Sequence, residues 1–437
     1  MKYFSTRNPE HVVTFREAVL SGLAPDGGLY MPESLPRLSA EVLERMNALS
    51  MQEVSTEITK VFASEDIDDA GIERIIESAI NFPAPVHFLA PDIASLELFH
   101  GPSMAFKDFG ARFMAQTMSW FTRNDNDPLH ILVATSGDTG GAVALGFYKV
   151  PGVEVSILYP KGRVSELQEK QLTTHGHNIH AYEVEGSFDD CQRMVKEAFQ
   201  DKDIRSRLRL TSANSINISR LIPQTFYYFN AVNQIDRVSD GNRHRPLVFS
   251  IPSGNFGNLC AGVMAKKLGA RIDTFLAATN VNDTVPRYLA SGEYSPMESI
   301  ATISNAMDVG TPSNFERLLK IFSGDHQSFC EWIIGYRYSD EETKYGMAEC
   351  HEKYHYISDP HGAIGYLACR DHLASRSDNP VGVFLETAHP IKFPDSVENA
   401  VKVSIPTPPQ VGTLLEREKK AYQIPAKLDA LKQHLLV

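Results

Sequence analysis

The chain has 437 residues, of which 43% are hydrophobic and 22% charged, a composition typical of a globular protein with roughly two to four domains. Its 42 basic and 54 acidic side chains give a net charge of −12, which argues against nucleic acid or an anionic membrane as the main partner. Five scattered cysteines without a Cys-x-x-Cys pair, and an N-terminus without an apolar signal core, predict a cytoplasmic protein.

The first 95 residues predict a small, mostly helical domain. Apolar residues recur every three or four positions in FREAVLSGL, AEVLERMNAL and GIERIIESAI, as in amphipathic helices. The segment APDGGLYMPESLP has the Gly and Pro content of turns.

After about residue 128 the pattern changes to short apolar runs that alternate with helical segments. The runs are LHILVAT, VEVSILY, NIHAYEV, PLVFSI and VGVFLE. Strands that lack polar alternation are usually buried on both faces, as in a parallel sheet covered by helices. The fold class is therefore predicted to be α/β, with ligands bound beyond the carboxyl ends of the strands.

Lys107, in the stretch HGPSMAFKDFGAR, is the first candidate for chemistry. The pattern places it in the first turn of a helix, between Phe106 and Phe109. Desolvation and the positive helix end both favour a neutral, nucleophilic amine there. The alternative is an ordinary surface lysine on an amphipathic helix.

A glycine-containing loop follows the run PLVFSI and opens a helix. It reads Ser253-Gly254-Asn255-Phe256-Gly257-Asn258. Backbone N–H groups beside a helix N-terminus bind phosphate well, although the loop lacks both the P-loop and the dinucleotide-binding motif. A phosphate on a smaller cofactor suits it, and a purely structural turn is the alternative.

A second loop follows LHILVAT and contains Thr135, Ser136, Gly137, Asp138 and Thr139. Its hydroxyls and N–H groups at a helix start suit a carboxylate ligand. Asp138 could instead only cap the helix.

His351-Glu352-x-x-His355 matches the short zinc-protease motif. The segment lies near a helix end, where histidine is favoured without any metal. We therefore expect no metal site.

Taken together, the sequence resembles the threonine synthase family. Six blocks carry the resemblance in the family's order: GPSMAFKDFGARF, TSGDTGGA, YPKGRVSELQEKQL, NSINISRLIPQ, PSGNFGN and ETAHPIKFPDS. The N-terminal GLAPDGGLYMPESLP is also similar to the longer members, which have an extra N-terminal region.

The resemblance implies fold type II among pyridoxal 5′-phosphate (PLP) enzymes. The expected organisation is an N-terminal domain over 1–95, a large PLP-binding domain over 96–120 and 220–400, a smaller inserted domain over 121–219, and a C-terminal tail over 401–437.

The resemblance also implies roles for individual residues. Lys107 would bind PLP covalently, and Thr387 would face the pyridine nitrogen. The cofactor phosphate would be held by Gly254, Asn255, Phe256, Gly257 and Asn258. The substrate, O-phospho-L-homoserine, would be held by Thr135, Ser136, Asp138, Thr139, Lys161, Arg163, Asn217 and Arg220.

The implied reaction loses phosphate from the γ-carbon and adds water at the β-carbon, giving L-threonine. Asp138 raises a question, because an anion beside the substrate carboxylate is unfavourable unless it shares a proton. A related PLP lyase that releases a keto acid, a silent binding protein and a zinc hydrolase are the rivals. We expect a monomer or homodimer.

Overall fold

A computed structural model describes residues 1–135, 137–238 and 244–436. Ser136, one of the predicted substrate-binding residues, lies outside the described residues. The strands in the described part are β1 (Tyr3–Ser5), β2 (Val12–Val13), β3 (Tyr30–Pro32), β4 (Val86–Ala90), β5 (Ile93–Glu97), β6 (Leu129–Ala134), β7 (Val153–Pro160), β8 (Ile179–Glu185), β9 (Arg209–Thr211), β10 (Leu247–Pro252), β11 (Thr274–Thr279), β12 (Ile333–Arg337), β13 (Val381–Glu386) and β14 (Tyr422–Pro425).

Helices cover the sheets and join most of the strands. They are α1 (Phe15–Ser21), α2 (Ala40–Met46), α3 (Met51–Ala63), α4 (Asp69–Ala79), α5 (Lys107–Thr122), α6 (Asp138–Phe147), α7 (Glu166–Thr173), α8 (Phe188–Gln200), α9 (Lys202–Arg207), α10 (Ile218–Leu221), α11 (Gln224–Val238), α12 (Gly257–Leu268), α13 (Thr284–Ser291), α14 (Phe315–Ile321), α15 (His326–Trp332), α16 (Asp340–Tyr354), α17 (Pro360–Ala374), α18 (Pro394–Val401), α19 (Pro409–Leu415) and α20 (Leu428–Leu435), with short 3₁₀ helices at Asn305–Met307 and Pro390–Lys392.

The larger sheet has six strands in the order β12-β11-β10-β13-β5-β4. All neighbours are parallel except β4, which pairs antiparallel with β5. Its central strands β10 and β13 are buried along their whole length, as their continuous apolar runs predicted.

The smaller sheet has five parallel strands in the order β14-β8-β7-β6-β9. The runs LHILVAT, VEVSILY and NIHAYEV form β6, β7 and β8. The prediction of α/β architecture with parallel sheets is confirmed.

The N-terminal segment is more mixed than predicted. It contains helices α1–α4, but β1, β2 and β3 form a small antiparallel sheet, and β4 with most of β5 joins the larger sheet. Helices α1–α4 each begin after a residue whose side chain accepts a hydrogen bond from a backbone N–H of the first turn. In α3, for example, Ser50 accepts from the Glu53 N–H while the Glu53 carboxylate accepts from the Ser50 N–H, which is a capping box.

The predicted C-terminal tail is integrated into the smaller sheet. Strand β14 extends that sheet beside β8, and Ile424, Leu431 and Leu435 pack with Cys191 and Met194 of α8. The domain borders stay a prediction.

No helix within the described ranges is long and apolar enough to cross a lipid bilayer.

Candidate active site

A cleft of ≈ 1220 Å³ opens where the two large parallel sheets present the carboxyl ends of β6, β10 and β13. The sequence analysis predicted ligand binding at this position. One wall comes from the N-terminal segment, through residues that include Leu23 and Pro25.

Lys107 lies in the cleft as the first residue of α5, and Phe106 is the N-cap. Its Nζ lies 6.0 Å from the centre of the Phe106 ring. Burial lowers the pKa of Lys107, and the nearby cations Lys392 and Arg220 lower it further, whereas Asp138 opposes them. The predicted first-turn position is confirmed, and the surroundings favour a neutral amine.

Asp138 is the first residue of α6 and does not act as the helix cap, because the N-cap is Gly137. Its Oδ1 accepts from Lys392 Nζ at 2.6 Å and from Gln168 Nε2 at 3.2 Å. Burial alone would raise the pKa of Asp138, but Lys392 and Lys107 together hold it well below its ordinary value. Asp138 is therefore an ionised carboxylate, and its charge is balanced by an ion pair and needs no shared proton.

Thr135 organises the turn between β6 and α6. Its Oγ1 accepts from the Gly137 N–H at 3.0 Å and from the Gly140 N–H at 2.9 Å. Thr139 lines the cleft together with Thr135 and Asp138. The described residues of this predicted carboxylate loop are thus brought together.

The loop from Ser253 to Asn258 joins β10 to α12 and lines the cleft. Gly254 is required by close packing, because a Cβ there would lie 2.7 Å from Met307 Cα. Phe256 takes a left-handed conformation with φ 58° and is the N-cap of α12. The loop therefore ends at the helix N-terminus, where the first backbone N–H groups have no partner within the helix. Asn255 holds the loop by donating to Ser215 Oγ at 2.8 Å and accepting from the Ser313 N–H at 2.6 Å.

Two buried donors in the cleft lack a partner among the described residues. They are Asn258 Nδ2 and Arg220 Nε. Asn258 is held by its other end, since Oδ1 accepts from the hydroxyls of Tyr227 and Tyr228 at 2.7 Å. Burial lowers the pKa of Arg220 to about 10, and this guanidinium keeps its charge at neutral pH. Such donors suit an anionic ligand.

Thr387 follows β13 and lines the cleft beside Lys107. Its backbone carbonyl accepts from the Phe106 N–H at 2.9 Å. This bond ties the end of β13 to the start of α5, so both predicted cofactor contacts share one rigid junction.

Three predicted substrate-binding residues are not brought into the cleft. Lys161 and Arg163 lie exposed after β7, where Lys161 pairs with Glu185 at 3.8 Å. The Asn217 side chain is fully buried, donates to the Val19 carbonyl at 2.8 Å and accepts from the Ser219 N–H at 3.0 Å. A role for these three residues in substrate binding stays a prediction.

Sequence reasoning missed Lys392, which is only 2% exposed. Lys392 lies shortly after β13 and Thr387 in the chain, and its Nζ also donates to the Ser103 carbonyl at 2.9 Å. The available signal was a lysine between Ile391 and Phe393 in an apolar segment. Sequence reasoning also missed two rim cations that line the cleft, Lys196 and Arg205.

The His351 and His355 pair does not lie on one helical face. Helix α16 ends at Tyr354, and His355 is its C-cap in a left-handed conformation. Within the described ranges, no cluster of three or more His, Cys, Asp or Glu residues could hold a metal ion.

Three protein families match the chain in succession. Residues 2–80 match "Threonine synthase N terminus", residues 93–386 match "Pyridoxal-phosphate dependent enzyme", and residues 362–435 match "Threonine synthase, C-terminal".

Individual relatives are similar over the whole chain. Threonine synthase of Serratia marcescens is 43% identical over 100% of this chain and 99% of its own length. The crystal structure of Escherichia coli threonine synthase superposes with a TM-score of 0.90 at 42% identity, covering 100% of this chain and 99% of that one. PLP-bound threonine synthase from Brucella melitensis has a TM-score of 0.92 at 35% identity, covering 100% and 98%.

The cleft residues fit a PLP molecule. A lysine with a lowered pKa suits the aldehyde, and the tightly packed Gly254 turn with the unpartnered Asn258 amide suits the phosphate. The hydroxyl of Thr387 suits the ring nitrogen.

Proposed function

This chain belongs to the threonine synthase family, and we propose that Lys107 carries the proton transfers of its reaction. The protein is a PLP-dependent lyase of threonine biosynthesis that converts O-phospho-L-homoserine and water to L-threonine and phosphate. The observation that supports Lys107 is its position at the start of α5, inside the cleft, with burial and neighbouring cations lowering its pKa.

We propose that Lys107 holds PLP, that Gly254, Asn255, Phe256, Gly257 and Asn258 hold the cofactor phosphate, and that Thr387 faces the ring nitrogen. Bound PLP supplies an electron sink that makes the α- and β-hydrogens of an amino acid acidic. A neutral hydroxyl at Thr387 leaves the ring nitrogen less fully protonated than a carboxylate would.

Lys107 Nζ moves protons at three carbons of the substrate. It removes the α-proton and then a β-proton, phosphate leaves from the γ-carbon, and that carbon is then protonated. Water then adds at the α,β double bond: its hydroxyl goes to the β-carbon, and Lys107 returns a proton to the α-carbon. A lysine with a lowered pKa suits both directions of transfer, because it gives up a proton more readily than an ordinary lysine and can still accept one.

The Thr135–Thr139 loop binds the substrate carboxylate through its N–H groups and hydroxyls. Asp138 belongs to this loop, and its ion pair with Lys392 keeps the local charge balanced. Lys392 is thus assigned to the site as a positioning residue.

The substrate phosphate is assigned to cations around the cleft. Arg220 is the best supported, because it is buried, charged and has an unpartnered Nε. Lys161, Arg163 and Asn217 stay predictions. We further propose that the protein acts in the cytoplasm as a monomer or homodimer.

The test of this proposal is Lys107→Ala, assayed by product analysis on purified, folded protein. The variant is expected to form no threonine from O-phospho-L-homoserine, whereas the wild type forms threonine and no 2-oxobutyrate. Wild-type turnover by the variant would remove Lys107 from the mechanism. Formation of 2-oxobutyrate by the wild type would favour the keto-acid-releasing lyase.

A further inference from the structure

His361 lines the cleft but has no role in the chemistry described above. It is 2% exposed and lies in the first turn of α17. Its Nδ1 lies 2.5 Å from Asp359 Oδ1, and its Nε2 lies 3.2 Å from the Ala306 backbone nitrogen. Because Ala306 N–H can only donate, Nε2 accepts and the neutral ring carries its proton on Nδ1. The imidazole therefore bridges the cap of α17 and the 3₁₀ turn Asn305–Met307.

That 3₁₀ turn supports the loop proposed to hold the cofactor phosphate. A Cβ at Gly254 would lie 2.7 Å from Met307 Cα and 3.1 Å from the Ala306 carbonyl oxygen. With backbone packed so closely on backbone, any shift of the turn displaces Gly254.

Glu386 connects the same assembly to the opposite wall of the site. It is the last residue of β13 and directly precedes Thr387. It is fully buried, and its Oε2 lies 3.4 Å from the Asp359 N–H. A Cβ at Gly362 would lie 2.2 Å from Glu386 Oε1, so the glycine makes room for this carboxyl against the start of α17.

The carboxyl groups of Asp359 and Glu386 are both buried at the start of α17. Burial raises the pKa of Glu386 well above its ordinary value, and the charge and hydrogen bond of Asp359 raise it further, with a smaller contribution from Glu97. One oxygen on each carboxyl, Asp359 Oδ2 and Glu386 Oε1, lacks a hydrogen-bond partner among the described residues. A protonated Glu386 supplies an O–H donor at the position where these two oxygens lack one.

We propose that Glu386, Asp359 and His361 form a positioning relay that holds the Gly254 loop and Thr387 in register for PLP. The chain of donors runs from Glu386 O–H to Asp359, from His361 Nδ1–H to Asp359, and from Ala306 N–H to His361. It joins the end of β13, the cap of α17 and the 3₁₀ turn. This inference rests on the proposed cofactor site.

The test is a PLP titration of the full-length protein after cofactor removal, followed by absorbance. In His361→Leu the bond to Ala306 is lost, and the PLP dissociation constant should rise about tenfold, as expected for a lost buried hydrogen bond. His372→Leu is the matched control, since His372 lies on the same helix, is 4% exposed and bonds Tyr336 OH at 3.2 Å. Its dissociation constant should stay within about twofold of the wild type, although both variants lose stability to urea.

Two conservative variants separate positioning from packing. His361→Gln can accept from Ala306 N–H through its amide oxygen and should restore most of the affinity. His361→Asn can reach only Asp359 and should not. Equal affinities for the Gln and Asn variants, or unchanged affinity in His361→Leu, would overturn the relay. A wild-type protein that binds no PLP would overturn the relay and the cofactor site together.

Discussion

The pKa of Lys107 is set by burial and by three charged neighbours. Its amine sits at the positive end of α5, in a protein environment that disfavours the ammonium form. Among its charged neighbours, Asp138 raises the pKa of Lys107, whereas Lys392 and Arg220 lower it. The pKa of Lys107 therefore depends on the ion pair between Asp138 and Lys392.

The first prediction concerns this buried ion pair. Lys392→Met leaves the Asp138 carboxylate with only Gln168 as a partner, and the free energy of unfolding should fall by about 3–5 kcal/mol. Adding Asp138→Asn removes the stranded charge and should recover part of that loss. Urea unfolding at pH 7 of the two single variants and the double variant measures the coupling.

The exposed pair Arg376–Asp378, 2.5 Å apart, is the control for this cycle. Its coupling should be below about 1 kcal/mol, because solvent screens it. Strictly additive losses at Asp138 and Lys392 would show that the two side chains do not stabilise each other.

Site residues can be predicted from the sequence where the neighbouring positions form a recognisable pattern. Lys107 and the Gly254 loop stand at strand ends beside helix starts, and that pattern is visible within a dozen neighbours. Lys392 could not be paired with Asp138 in advance, because the two residues meet only when the folded sheets face each other. Asn217 lies in a matching motif, but the sequence did not show that its amide donates to the Val19 carbonyl in the N-terminal segment; its role in substrate binding stays a prediction.

Among the elements that line the cleft, the turn between β10 and α12 leaves no space for a side chain at Gly254. Gly254→Ala would place a methyl group 2.7 Å from Met307 Cα, a backbone atom that cannot rotate away. We expect PLP affinity to drop about tenfold or more, since the loop must shift by a few tenths of an ångström or further. Equilibrium titration with PLP measures the effect.

Gly412→Ala is the matched control for that substitution. Gly412 lies in α19, where no described atom apart from its chain neighbours and its own helix backbone lies within 4 Å of an added Cβ, so affinity should not change and stability should rise slightly. Wild-type affinity in Gly254→Ala would show that this turn does not hold the cofactor.

The strands that were predicted correctly share one property. β6, β7, β8, β10 and β13 are continuous apolar runs, and each is buried over most of its length. β14 was missed because it is a mostly exposed edge strand in which only Ile424 is buried. Its place beside β8 is decided by tertiary packing, which leaves little pattern in a four-residue segment.

In the whole molecule, the cleft is built by three parts of the chain that are distant in sequence. The larger sheet contributes Lys107, Gly254 and Thr387, the smaller sheet contributes the Thr135 loop, and the N-terminal segment contributes a wall. The Asp138–Lys392 pair links the segments that follow β6 and β13. The N-terminal segment is therefore part of the wall of the cleft that contains Lys107.

The most direct test of the account is borohydride reduction of the PLP-loaded protein, followed by peptide mass spectrometry. Reduction makes the link between PLP and its lysine permanent, and two lysines near the cleft, the half-buried Lys107 and the buried Lys392, can be distinguished by their peptides. A single pyridoxyl adduct on Lys107 is the expected result. An adduct on Lys392, on another residue or on none would contradict it.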